Sequence, residues 1–121
     1  MAGILVDAVA SGPHAIVTVE GEIDAHTAPI LKDRLLELVE QGIDRLVVDL
    51  RLVEFIESVG LGTLVAARKR LRHFDKSLCL VLGADQSVLR RTFEITGLDK
   101  VFPIHTSVEA AVQDCLQEPA A

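Results

Sequence analysis

Apolar and polar residues alternate through two short runs at the start of the chain, ILVDAVA (4–10) and HAIVTVEGEI (14–23). A period of two predicts strands, and the turn-forming Ser11, Gly12 and Pro13 between them predict an antiparallel hairpin. The period then changes. In TAPILKDRLLELVEQG (27–42) Leu31, Leu35, Leu38 and Val39 share one face. Pro29 suits a first helical turn, Thr27 is placed to cap it and Gly42 to end it, so this segment reads as an amphipathic helix. DRLVVDL (44–50) and KSLCLVLG (76–83) are apolar runs of strand length, separated by a helical pattern over 58–74. QSVLRRTFEITG predicts a third helix, with Gly97 as the residue just past its end and Leu98 behind it. VFPI (101–104) can supply a short edge strand. Thr106 and Glu109 form a T-x-x-E capping box ahead of a last helix whose apolar positions are Val108, Ala111, Val112, Cys115 and Leu116. The whole reads as α/β: a mixed sheet, hairpin first, followed by alternating helices and strands, with about four helices.

Length and charge narrow what such a sheet can do. With 121 residues, 50% of them hydrophobic, the chain fills one compact domain and not two, with a core over about 3–116 and a frayed tail at 117–121. No internal repeat or linker interrupts it. A net charge of −6 disfavours nucleic acid and anionic lipid as main partners. No apolar stretch approaches the ~20 residues of a membrane span, and MAGILVDAVASG lacks a basic leader, which points to a cytoplasmic protein. Cys79 and Cys115 lie inside apolar periodic segments. Neither stands at a zinc-site spacing from His14, His26, His73 or His105, so both read as reduced core thiols, and no metal or cofactor is expected.

The candidate chemistry gathers at ESVGLG (57–62), where the third strand hands over to the second helix. At about 100° per residue, Gly60, Leu64, Ala67, Leu71 and Phe74 form a core-facing stripe. The other side carries Ser58, Leu61, Val65, Arg68, Lys69 and Arg72, a basic surface with two apolar side chains and a serine at its N-terminal end. It reads either as a docking surface or as a widened core stripe beside a solvated basic face. Ser58 is suited to cap the helix, worth about 1 kcal/mol. A compatible second role is to carry a phosphate, which at a helix N-terminus meets unpaired N–H groups and the positive end of the dipole. A nucleophile role has no support, because no G-x-S-x-G elbow or paired base accompanies it. Gly60 and Gly62 each cost about 1 kcal/mol in helix propensity, and they let another chain approach the backbone.

GEIDAHTAPIL (21–31), VVDLRLVEFIESVGLGTLV (47–65) and ITGLDKVFPIHTSVEAAV (95–112) together resemble the STAS domain of bacterial anti-sigma factor antagonists. That family carries a GEID-type segment, a D-S-[S/T]-G-L-G phosphorylation motif and a TGL…F ending, and the resemblance covers nearly the whole chain in the same order. It implies partner switching. The unphosphorylated antagonist binds an anti-sigma factor that is also a GHKL-type serine kinase, which frees a sigma factor, and phosphorylation of the motif serine breaks the complex until a serine phosphatase restores it. Ser58 matches that serine, Gly60, Leu61 and Gly62 match G-L-G, and Asp24 matches the GEID aspartate, which takes part in partner contact. The implied partner surface is Asp24, Thr27, Glu57, Ser58, Val59, Gly60, Leu61, Gly62, Val65 and Arg68. Glu57 departs from the family's aspartate by one methylene, and Val59 replaces its second hydroxyl, which leaves Ser58 as the one acceptor in the motif.

Other functions fit less well. A non-switching STAS module, either a stressosome-type scaffold or a subunit of a lipid-transport complex, would use Ser58 only as a cap. A phosphotransfer receiver would place its acceptor at Asp49, yet ILVDAVASG lacks the acidic pair that holds magnesium, and Asp49 reads better as a strand-end residue bonding locally. No phosphate-binding glycine loop, metal set or nucleophile–base pair suggests an enzyme or a nucleotide site.

Overall fold

The computed structural model describes residues 3–117, with side chains through 114. Its elements run β1 (Ile4–Ser11), β2 (His14–Ile23), α1 (Ala28–Glu40), β3 (Arg45–Ile56), α2 (Ser58–His73), β4 (Ser77–Val81), α3 (Ser87–Ile95), a 3-10 turn over Leu98–Lys100, β5 (Ile104–His105) and α4 (Val108–Gln117). The five strands lie in chain order. β1 and β2 form the antiparallel hairpin, and every later neighbour is parallel. The fold class matches the sequence reading. The side-chain positions expected at Cys115 and Leu116, and the tail from 118 on, lie outside the described residues.

Each parallel step advances across the sheet in the same direction. Right-handed crossovers therefore put α1, α2 and α3 on one face. The main core lies beneath them. Ala15, Val17 and Val19 of β2, Leu46, Val48 and Leu50 of β3, and Leu78 and Leu80 of β4 meet Leu31, Leu35 and Leu38 of α1, Leu64 and Leu71 of α2, and Leu89 and Phe93 of α3. The intervening positions point the other way. Val47, Cys79 and Val81 pack there on Ala111, Val108 and Val112 of α4. β3 and β4, covered on both sides, read as continuous apolar runs for that reason.

β3 is twelve residues long, well beyond the apolar run 44–50. Its pairing with β4 ends at Asp49↔Val81, while its pairing with β2 continues through two irregularities to Ile23↔Ile56. Along this extension only Val53 and Ile56 are buried, and Leu52, Glu54 and Phe55 face outward. Where β4 has left, the Gln86 side chain takes over: its amide nitrogen donates to Leu50 O (2.9 Å) and Val53 O (3.1 Å), and its oxygen accepts from Gly83 N (2.6 Å). Gly21, at one irregularity, has φ +115°, and a Cβ there would strike the Gly3 carbonyl.

Several local expectations change. Phe74 is exposed and not in the core stripe, because α2 ends at His73 and the chain turns through Asp75 (φ 58°). Its ring packs instead beside His73, Arg70 and Lys76. The cap of α4 is Ser107, whose Oγ accepts from Ala110 N (3.1 Å), in place of Thr106. The edge strand begins at Ile104, at the end of VFPI, because Pro103 has no N–H for a ladder. Gly97 does end α3, at φ 75°. Among the described residues no helix is long and apolar enough to cross a membrane.

Candidate functional site

The paired ends of β2 and β3 build the site. Ile23 and Ile56 are register partners, and Glu57 N donates to Ile23 O (2.8 Å), one rung beyond the ladder. Asp24 and Glu57 therefore leave neighbouring strands about 4.8 Å apart, at the C-terminal edge of a parallel pair, where open α/β sheets present their binding loops.

Asp24 organises the first loop. Its Oδ1 accepts from His26 N (2.9 Å) and Thr27 N (3.0 Å). These donors favour the carboxylate, so its pKa is lowered, first by the Thr27 N–H, against opposing desolvation, and then by the His26 N–H. Thr27 was expected to cap α1, but its backbone is helical and its hydroxyl makes no capping bond. Thr27 Oγ1 instead donates to Glu22 O (2.7 Å) and accepts from Asp24 N (2.8 Å). Asp24 supplies the acceptor at the start of the helix while Thr27, buried, ties the loop to β2.

Glu57 is extended (φ −86°, ψ 166°), and its carbonyl receives Gly60 N (2.9 Å) and Leu61 N (3.2 Å), opening α2. Ser58 is thus the first helical residue, not the cap. Its side chain is exposed and makes no hydrogen bond among the described residues. The N–H groups of Ser58 and Val59, in the first turn, have no acceptor four residues back within the helix.

The two glycines separate in role. A Cβ on Gly60 would press into Ile23 Cγ2 and come within 2.8 Å of Ile56 Cγ1, so this glycine lets α2 sit on the strand ends. Its role is internal, which corrects the expectation that it admits another chain. Gly62 is exposed with open space around it. Leu61 is 6% exposed and belongs to the main core, and Val65 packs against that core half-buried. The widened stripe is the right account of both, and the outward line of α2 is instead Ser58, Val59, Gly62, Ala66 and Lys69.

That line faces α1 across a groove of about 460 Å³, lined by Pro29, Lys32 and Asp33 on one side and Val59, Gly62 and Ala66 on the other. Val59, in its wall, is 44% exposed. The sequence reading missed α1's share of this surface. The signal was present, since Pro29 is an apolar residue off the Leu31 stripe. Arg68 does not join the groove. It lies about 15 Å along the helix from Ser58, in the wall of a separate cavity with Arg72, Lys76 and Lys100. Burial, and then Arg72, lower its pKa. Asp49 bonds locally, as expected: its carboxylate accepts from Arg51 N (3.1 Å), Nε (3.0 Å) and a terminal guanidinium nitrogen (2.9 Å).

The sequence pattern of the STAS domain matches residues 6–111 of the chain. The "Anti-sigma-B factor antagonist" of Bacillus subtilis is 37% identical over 97 residues, covering 80% of this chain and 86% of that one. The "Anti-sigma-F factor antagonist RsfB" of Mycobacterium tuberculosis is 36% identical over 98 residues, 81% of this chain and 78% of its own. Among solved structures, an anti-sigma factor antagonist from Mycobacterium paratuberculosis superposes with a TM-score of 0.85 at 32% identity, covering 94% of this chain and 95% of the other.

Proposed function

This chain belongs to the STAS-domain family, and from that premise we propose that it is an anti-sigma factor antagonist switched by phosphorylation of Ser58. The unmodified protein binds an anti-sigma factor that is also a serine kinase of GHKL type, and a sigma factor is released. Phosphate on Ser58 abolishes the binding, and a serine phosphatase reverses it.

The observation that carries this reading is the Ser58 hydroxyl. It stands exposed at the start of α2 with no hydrogen bond to lose among the described residues. The docking surface is Asp24, Glu57, Ser58, Val59 and Gly62 with the adjoining α1/α2 groove. Thr27, Gly60, Leu61 and Val65 act from beneath, holding the loop and helix in place.

The switch then follows from electrostatics. A phosphoserine brings nearly two negative charges next to Glu57 and one strand away from the ionised Asp24, within a surface that docking must desolvate. Free N–H groups of the first turn accommodate the phosphate in the unbound protein, so the fold persists while the complex does not. A scaffold in which Ser58 serves only as a cap is less favoured, because the hydroxyl makes no capping bond.

The deciding experiment is mass spectrometry after incubation with ATP and the host's antagonist-binding kinases, together with binding of the same kinases to S58A and S58E. We expect phosphate on Ser58, tight binding by S58A and binding weakened at least about tenfold, about 1.4 kcal/mol, by S58E. Absence of phosphate, with equal binding by both variants, would return the protein to the scaffold class.

A further inference from the structure

The sheet face opposite the three crossover helices holds a second constellation, drawn from residues far apart in the sequence. Alternation along β4 turns Leu78 and Leu80 toward the main core and Cys79 toward α4. β5 pairs beside it, Val81↔His105, which brings the His105 imidazole to the same place, and α4 crosses above with Asp114. One ligand atom from each of Cys79, His105 and Asp114 lies within 4.8 Å of the other two. His105 Nε2 and Asp114 Oδ2 are 3.1 Å apart. Spacing along the chain hid this cluster, because its members reach one point through a strand pairing and a helix crossing.

We propose that Cys79, His105 and Asp114 form a binding site for a zinc-class divalent cation that fastens α4 to β4 and β5. A histidine–carboxylate pair alone would be an ion pair between strand and helix. The thiol adds a third donor of the kind that separates a metal site from an ion pair. Thiolate, imidazole and carboxylate together suit zinc and exclude calcium and magnesium, which take oxygen ligands. Tetrahedral bonds of about 2.0–2.3 Å space the ligand atoms roughly 3.3–3.6 Å apart, so closing on an ion needs movements of about 1 Å or less. Burial differs around the site: Cys79 is fully buried, while the Asp114 side chain is 48% exposed and marks the side from which an ion arrives. Three protein ligands leave a fourth tetrahedral position to complete the shell. The site lies on the opposite sheet face from α2 and the groove, so its occupancy acts on the attachment of α4 and not on the Ser58 surface.

Cobalt is the probe. Titration of the full chain with Co²⁺ should give a near-ultraviolet thiolate-to-cobalt absorption saturating at one equivalent and displaced by Zn²⁺. The band should vanish in C79S and persist in C115S, which assigns the thiolate. H105Q and D114N should each weaken cobalt binding at least about tenfold. Zn²⁺ should raise the melting temperature of the parent protein but not of C79S. No thiolate band in the folded parent, a band lost in C115S instead, or cobalt affinity unchanged in H105Q overturns the site. Because H105Q replaces a side chain on the two-residue β5, it carries the test even where C79S fails to fold.

Discussion

At the scale of single residues, the decisive fact is what the Ser58 hydroxyl does not do. A capping serine replaced by alanine costs about 1 kcal/mol. A first-turn serine with no bond among the described residues should cost less than about 0.5 kcal/mol, so S58A is expected to show a nearly unchanged denaturant midpoint and, on the proposed function, to take up no phosphate while still binding the kinase. Asp24 is the opposite case, since its carboxylate organises the loop through the N–H groups of Thr27 and His26. Its folded pKa lies below its unfolded one. The resulting stabilisation is full above the unfolded value near 3.9 and is lost as pH falls through the folded value. Melting temperatures followed from pH 6 down toward 3 should therefore drop less steeply for D24N than for the parent, a comparison that isolates this carboxylate. The same residue shows how a local reading goes astray. Thr27 and Asp24 both suit a helix start by residue type, and only the bond from Thr27 Oγ1 to Glu22 O decides which of them takes that role.

At the scale of elements, most of the architecture was legible in the sequence, because periodicity of two and of 3.6 reports burial directly. The hairpin, the three crossover helices and the buried strands follow from it. What escaped depends on partners that a linear pattern does not contain. β3 runs past its apolar segment because β2 continues to pair with it, and the buried stripe of α2 is wide enough to take in Leu61 because α1, β3 and β4 all pack against that helix. The two glycines of that helix give a paired test. Gly60→Ala should destabilise by about 1–3 kcal/mol through overpacking on Ile23 and Ile56. Gly62→Ala, with open space around it, should stabilise by about 0.5–1 kcal/mol on helix propensity alone. On the proposed function, the Gly62→Ala protein should nevertheless bind the anti-sigma factor more weakly, since a methyl group then stands in the groove. Urea melts and a binding titration on the two proteins would separate packing from docking.

At the scale of the whole molecule, the layers divide the labour. One end of the parallel strands carries the loops and the helix start, while the core beneath α1 to α3 holds them still. On the proposed function, phosphorylation at Ser58 would add charge to an exposed position outside that core. The circular dichroism and melting temperature of the modified protein should stay close to those of the parent, and a large loss of either would mean that the modification acts by unfolding. The long β3 has one further consequence. Beyond Asp49 it has a strand neighbour on one side only, and the carbonyls of Leu50 and Val53 on the other side are occupied by the amide of Gln86. A row of unclaimed main-chain groups is a template for strand addition from another molecule. One side-chain amide thus stands guard over the sheet's colloidal behaviour: Gln86→Leu should keep much of the fold yet aggregate faster by light scattering, because two acceptors on a half-open strand become available to any extended segment in solution.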